Sequence, residues 1–443
     1  MAALSVPFGR LFKDRRMAPI LAVTDQSLYA LSNLIIQIIV ARSVSPEEFG
    51  AYSVGTTFFV VAATIHQACI IEPMFVFSTQ RYAVSMAAYH KRLRRGWSVI
   101  FGATVLVIGV GIAATLWSLG SPLLAKCVAA FAVVSPFALY MWLLRRMAFA
   151  LGRFELAVLA GAIYSSTLLG MAGAFWYAGH LSAVLGICLT GVAAGLASIS
   201  IGLLFPRSPV STPPPHDMMR QHLRYGRWAV GSEAVNWLIN NGPILALPIW
   251  FGLSAAAQLR VVYLFFMPLL QIVAALTVLL LRHFTSLPPS TGYRATAMKY
   301  VWLLFAGAAL YSANAIAFGV ALAPKIFGPQ YIVEVPWMIL GGAFVSLCVM
   351  TQGFFTALRA REQSNRVLIT YLVILGVMAA MLPLVAKLGV TGILAAQTIA
   401  WGFALPLAGV LVFRVSTPSL PLAPGANRSV AVDSESAAKP SRT

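Results

Sequence analysis

Charge is scarce in this chain. Of its 443 residues only 10% are charged, against roughly 25% in an ordinary soluble domain, while 60% are hydrophobic. A water-soluble fold of that composition could not cover its own surface. Acidic residues are the scarcer kind: 12 Asp and Glu stand against 31 Lys and Arg, a formal charge of +19. A basic excess in so apolar a chain points to membrane headgroups and away from nucleic acid. Cysteine is also rare. Cys69, Cys127, Cys188 and Cys348 each lie inside a long apolar run, and none has a partner at zinc-ligand or redox spacing. Catalytic and nucleotide motifs are missing as well: there is no HExxH, GxSxG, GxxxxGK[ST] or DxD, and the six His are scattered. The expectation is a protein that is not an enzyme, has no metal or other cofactor, and moves its substrate on an ion gradient or on the substrate's own gradient.

What the chain has in abundance is long apolar runs. A helix crossing about 30 Å of hydrocarbon needs roughly 20 apolar residues. Runs of that kind fall at about 18–41, 51–76, 97–118, 121–144, 154–178, 181–206, 228–251, 254–281, 299–323, 333–357, 364–386 and 389–413. This predicts an all-α polytopic membrane protein with about twelve transmembrane helices. The first run follows Arg10, Lys13, Arg15 and Arg16 and is too long for the apolar core of a cleaved signal, so it is expected to stay as the first span.

Twelve spans put both termini on one side, and the basic residues test that topology. Of the 31 Lys and Arg, 26 fall on the side of the termini; only Arg42, Lys126, Arg260, Lys325 and Lys387 fall elsewhere. By the positive-inside rule the termini are cytoplasmic. The loops on the other side are all short, about ten residues or fewer. The chain thus divides into a basic N-terminus (1–17), a six-helix bundle (18–206), a cytoplasmic Pro-rich linker (207–227), a second six-helix bundle (228–414) and a Ser-, Pro- and Ala-rich tail (415–443) in which disorder is expected.

The halves carry a weak repeat. Val44 and Ser45 match Leu253 and Ser254 at an offset of 209, ALGRFE from Ala150 matches ALRARE from Ala357 at 207, and Asp25 and Glu233 are 208 apart. Each half has an even number of spans, so the halves share an orientation and are related by an axis along the membrane normal. Two such bundles can rock about a central cavity.

Ionisable groups inside the spans each cost a few kcal/mol on insertion scales, so each needs a reason. Asp25 lies roughly 10 Å into the first span, and Glu72 lies at the cytoplasmic end of the second, before Pro73. Glu233 opens the seventh with Asn236 and Asn240 on its face, and Arg260 lies in the eighth. One reading puts Asp25, Glu233 and Arg260 on a water-accessible cavity, with Arg260 attracting an anion and the carboxylates taking a proton or cation. The other has these groups pairing with one another or capping broken helices. Glu72, close to headgroup level, suits a nearly solvated carboxylate as well as a coupling role. His66, beside Gln67 in the second span, has the chemistry of a proton relay or of a residue bonded to neighbouring backbone. Asn240, Asn241, Gly242 and Pro243 suggest a broken or kinked seventh span.

Four strings carry a resemblance: IIVARSVSPEEFGAYSV (38–54), IIEPMFVF (70–77), LRVVYLFFMPLLQIVAAL (259–276), and KIFGPQYIVEVPWMIL (325–340) with GVTGILAA (389–396). In their order and spacing they resemble the polysaccharide and oligosaccharide flippases of the multidrug/oligosaccharidyl-lipid/polysaccharide exporter superfamily. The resemblance implies a V-shaped pair of six-helix bundles around a cationic cavity. It also implies transfer of an oligosaccharide linked to undecaprenyl diphosphate across the bacterial inner membrane, by alternating access, for exopolysaccharide or lipopolysaccharide synthesis. On this reading Arg260, Asn236, Asn240, Arg145 and Arg146 bind substrate, and Asp25, Glu233 and Glu72 couple H⁺ or Na⁺. The partners would be the lipid-linked oligosaccharide, membrane lipids and the polymerase or export machinery. The alternatives are an ion-coupled small-molecule exporter of the same superfamily and, less favoured by the short external loops, a membrane glycan polymerase or ligase.

Overall fold

A computed structural model describes residues 18–79, 82, 85–205, 217–286, 292–361 and 363–414. The expectations for the basic N-terminus, the first part of the linker and the C-terminal tail lie outside those residues. All regular structure in the described residues is helical. Among the described residues ten helices are long and apolar enough to cross a membrane. One of these, Val230–Thr285, turns at Gly252 (φ 73, ψ 175), a left-handed conformation open to glycine at little cost, and so holds two crossings. The 17-residue apolar helix Ser364–Ala380 brings the crossings to the twelve expected from run lengths.

In chain order the helices are α1 Ala18–Ser43, α2 Pro46–Ser78, α3 Met86–Ser118, α4 Pro122–Ala150, α5 Phe154–Tyr177 and α6 Ala183–Leu204. They continue as α7 (218–251), α8 (253–286), α9 Gly292–Phe327, α10 Val335–Arg359, α11 Ser364–Ala380 and α12 Leu382–Phe413. Local chemistry sets the starts. Ser45 caps α2 by accepting from the Glu48 amide at 3.2 Å, with Pro46 in the first turn and Glu47 and Glu48 on the positive end of the helix dipole. The Glu48 carboxylate in turn accepts from the Ala183 amide at 2.8 Å, so it caps α6 as well. Inside the membrane such donors would otherwise go unpaired, at several kcal/mol each.

Packing separates two bundles. In the first, α4 is central, lying against α2, α3, α5 and α6, while α1 packs on α5. In the second, α10 and α12 are central, with α7–α8, α9 and α11 around them. Helix starts follow the repeat: α3 and α9 begin at Met86 and Gly292, 206 apart, and α5 and α11 at Phe154 and Ser364, 210 apart.

The bundles join mainly along α2 and the α7–α8 segment. At the end of the molecule that carries Arg42 the joint is tight. Arg42 donates through Nη1 to the carbonyls of Lys325 and Ile326, capping α9 from the other bundle, and Gln330 Nε2 returns a bond to the Ala41 carbonyl at 3.0 Å. The rings of Phe49 and Tyr331 meet edge to face at 5.9 Å. A Cβ at Gly50 would collide with the Leu253 carbonyl, so only glycine permits this approach.

Two features differ from the sequence expectation. The seventh span stays helical through Asn240–Pro243 and turns only at Gly252. Asn240 and Asn241 bond back to the Asn236 and Trp237 carbonyls of their own helix, and isolated prolines are tolerated in membrane helices where nearby groups satisfy the backbone. The seventh helix also begins before the expected linker boundary at 227: α7 starts at Met218, and its first turns are held by His222, which bonds the Cys69 carbonyl (3.0 Å) and the Tyr89 hydroxyl (2.8 Å). Cys69 lies in a π-helical turn, Gln67–Ile71, within α2.

Candidate functional site

Four polar side chains step along α1 at intervals of four residues: Asp25, Tyr29, Asn33 and Gln37. That spacing stacks them one turn above another and spreads them over about 18 Å of helix axis. At one end Asp25 meets Arg145 of α4. Nε reaches Oδ1 at 3.0 Å and Nη2 reaches Oδ2 at 2.7 Å, a two-point ion pair with both side chains buried. The Arg145 guanidinium also lies 4.7 Å from the centre of the Tyr29 ring, a cation–π contact. In the middle, Asn33 donates to the Tyr29 carbonyl at 2.7 Å and accepts from the Tyr164 hydroxyl at 3.1 Å.

At the other end Gln37 meets Arg260 of α8, in the opposite bundle. Gln37 Nε2 donates to the Asn33 carbonyl at 2.9 Å, which turns Oε1 toward Arg260. Arg260 Nε and Nη2 both donate to that one oxygen, at 2.9 and 2.6 Å. Arg260 is 7% exposed and, among the described residues, forms no ion pair with a carboxylate. Tyr52 and Tyr263 lie within electrostatic reach of it. One helical turn beyond Arg260, the Tyr263 hydroxyl donates to Gln397 Oε1 at 2.7 Å, while the fully buried Gln397 Nε2 has no hydrogen-bond partner among the described residues. The arrangement places a net positive charge between the bundles, just inside the Arg42 seal, and a spare amide donor within the second bundle on the Tyr263 side.

The candidates picked from sequence distribute unevenly. Asp25 and Arg145 come together but with each other, which neutralises both; Arg146 lies next to them with its guanidinium 5.9 Å from the Phe149 ring. Glu233, Asn236 and Asn240 form a chain on one face of α7: Asn236 donates to Glu233 at 3.3 Å and Asn240 to Asn236 Oδ1 at 2.9 Å. Glu72 of α2 lies within electrostatic reach of Glu233 and of Arg359 at the end of α10, so the two carboxylates come near each other at the Arg145 end of the bundle joint. Neither Glu72 nor Glu233 reaches Arg260. His66 is buried against Phe101 (5.3 Å between rings), and neither ring nitrogen has a hydrogen-bond partner among the described residues, so it stands apart from the α1 track.

Sequence reasoning missed Gln37, Tyr52, Tyr263 and Gln397. For Gln37 a signal existed, the four-residue recurrence of polar groups through an apolar helix. Tyr263 follows Arg260 by one turn of the same helix but reads as one aromatic in an apolar run; Tyr52 and Gln397 carry no signal, because tertiary packing brings Tyr52 near Arg260 and Gln397 onto the Tyr263 hydroxyl.

Several solved structures share this fold. A lipid II flippase MurJ in an inward closed conformation aligns with a TM-score of 0.71 at 11% identity, covering 90% of this chain and 87% of that one. An inward-facing multidrug resistance MATE family transporter of the MOP superfamily aligns at 0.67 and 15% identity, covering 89% and 97%. A MOP superfamily transporter from Pyrococcus furiosus, described as having a binding pocket of reversed polarity, aligns at 0.63 and 14% identity, covering 90% and 94%. No curated protein matches the chain. The family of polysaccharide biosynthesis proteins matches residues 20–281, which take in the whole α1 track and Arg260. The chain is therefore a multi-pass membrane protein with the fold of flippases and exporters, and it belongs to the polysaccharide biosynthesis protein family.

Proposed function

We propose that this protein is a flippase that carries an oligosaccharide on undecaprenyl diphosphate from the cytoplasmic to the periplasmic leaflet of a bacterial inner membrane, by alternating access. The observation that carries the reading is Arg260: a buried guanidinium at the joint of two bundles with an amide, not a carboxylate, as its partner. An uncompensated cation at such depth is expensive to keep, and a diphosphate brings the charge that would balance it, in a geometry guanidinium groups recognise well. Family membership and the MurJ-like fold support the same substrate class. Nearly all Lys and Arg cluster at the termini's side, which supports cytoplasmic termini. That makes the Arg42 end periplasmic, so this structure is sealed on the periplasmic side.

In the cycle the lipid-linked headgroup enters between the bundles from the cytoplasmic side while its polyprenyl chain stays in lipid. It passes the Arg145–Asp25 pair and meets Arg260 at the closed end. Asn236 and Asn240 offer polar contacts to sugar on the α7 side. Protonation or cation binding at Asp25, or at the Glu72 and Glu233 pair, biases the bundles between inward and outward states. The protein acts alongside a polymerase or export machinery in exopolysaccharide or lipopolysaccharide synthesis.

The test is a strain lacking this chain, with a periplasm-restricted glycosidase reporting which leaflet holds the lipid-linked glycan. Complete repeat units held on the cytoplasmic face support flipping. Complete units on the periplasmic face, unpolymerised or unligated, overturn it.

A further inference from the structure

We propose that Gln37 is the positioning residue that links occupancy of the Arg260 site to opening of the Arg42 end, a role that rests on the flippase reading above. Three observations lead there. First, Gln37 and Arg260 belong to different bundles, so their bonds are a strut across the joint. Second, the strut is the innermost member of the seal. Gln37 precedes Ala41 and Arg42 by about one turn, and those two residues hold the second bundle through Gln330 and the Lys325 and Ile326 carbonyls. Third, the strut is built to be exchanged. Gln37 offers a single neutral oxygen to two guanidinium donors, Nε and Nη2, and a phosphate offers the same fork two charged oxygens.

The exchange follows from those bond strengths. Charge-assisted pairs are stronger than guanidinium–amide ones, so a diphosphate arriving at the closed end takes Arg260 from Gln37. Gln37 stays bonded to the Asn33 carbonyl of its own helix, and α1 then holds one fewer link to α8. An anion that leaves Arg260 on Gln37 does not loosen the seal; one that captures Arg260 does. The substrate's charge is thereby read at the point where the two bundles are fastened.

The experiment uses purified full-length protein in nanodiscs with farnesyl diphosphate as the probe. Spin labels go on Glu47→Cys and Ile332→Cys, exposed positions in the two bundles beside the seal, in a background with the native cysteines replaced. In the otherwise unaltered protein the probe should bind and lengthen the distance between labels. Gln37→Glu keeps both bonds to Arg260 and adds a charge, so probe affinity should fall about tenfold or more and the short distance should persist. Gln37→Leu removes the strut; it should bind the probe at least as tightly and show the longer distance before any probe is added. Helix content and monodisperse elution identify variants that fail to fold. Gln37→Glu that binds and opens like the parent, or Gln37→Leu that stays closed without probe, overturns the role of Gln37 while leaving the flippase reading standing. Failure of the unaltered protein to bind the probe, or binding unchanged by Arg260→Gln, overturns both.

Discussion

Arg145 and Asp25, 120 residues apart in sequence, meet in a two-point ion pair with bonds of 3.0 and 2.7 Å and almost no exposed surface. Removing one partner leaves the other buried and uncompensated, a loss of about 3–5 kcal/mol. Asp25→Asn or Arg145→Gln alone should therefore lower thermal stability in detergent sharply. The double variant Asp25→Asn/Arg145→Gln should recover much of that loss, because neither charge remains. If Asp25 also couples an ion, the double variant folds yet exports little glycan. Export at the parental level by a stable double variant would reduce the pair to scaffolding.

Arg260 presents the opposite case, since its partner Gln37 is neutral. Arg260→Gln removes a buried charge without orphaning another, so stability should change little or rise. Glycan export should fall at least tenfold, as expected from losing a charge-assisted contact. Arg260→Lys, which keeps the charge without the fork, should fall in between. Export assays at matched protein levels in membranes decide this; an Arg260→Gln protein that exports normally removes Arg260 from the binding site.

Gly50 touches the backbone of the opposite bundle at Leu253, where any side chain would collide with the carbonyl. Gly50→Val should disrupt the closed end by overpacking, at a cost of about 1–3 kcal/mol. Labelling of a cysteine at Tyr331, buried against Phe49 in the closed end, by a membrane-impermeant thiol reagent should then rise. Unchanged labelling and stability would show that this end is not held shut at Gly50.

His222, in the first turns of α7 before the membrane span, ties the second bundle to the first through Cys69 and Tyr89. Burial is the larger influence and holds its imidazole below its ordinary value, with the bond to the Cys69 carbonyl opposing. The carbonyl can only accept, so the neutral ring carries its proton on Nδ1 and accepts at Nε2 from the Tyr89 hydroxyl. A group depressed on folding binds fewer protons in the folded state. Its contribution is present above the ordinary histidine value near 6.5 and is lost as pH falls below it toward the folded value. Protection of the amides of residues 217–226, taken relative to the intrinsic exchange rate at each pH, should therefore fall between pH 7 and pH 5, and His222→Gln should flatten that dependence. Equal protection at both pH values in the unaltered protein would contradict it.

The twelve crossings were legible because apolar length and the Gly and Pro that interrupt it are local properties of the chain. The α4–α5 and α10–α11 turns fall where ALGRFE and ALRARE mark the repeat. The site was legible only in part. Asp25 and Arg260 stood out by their cost in the membrane, but their partners were set by packing over separations of 120 and 223 residues. Asp25 and Glu233, equivalent by the repeat, ended in unlike surroundings, one on an arginine and the other on Asn236 and near Glu72. Gln37 stands out less in the sequence because an amide is cheaper to bury than a charge, although it holds a buried cation at the joint that, among the described residues, pairs with no acid.

The most direct test of the flippase account is reconstitution in vesicles. Purified protein would be incorporated with a polyprenyl diphosphate carrying a labelled oligosaccharide, and transfer followed by a glycosidase confined to one side. The account predicts that the protected pool becomes accessible with the unaltered protein and stays protected with Arg260→Gln. Transfer at equal rates in both, or none with the unaltered protein, would contradict it.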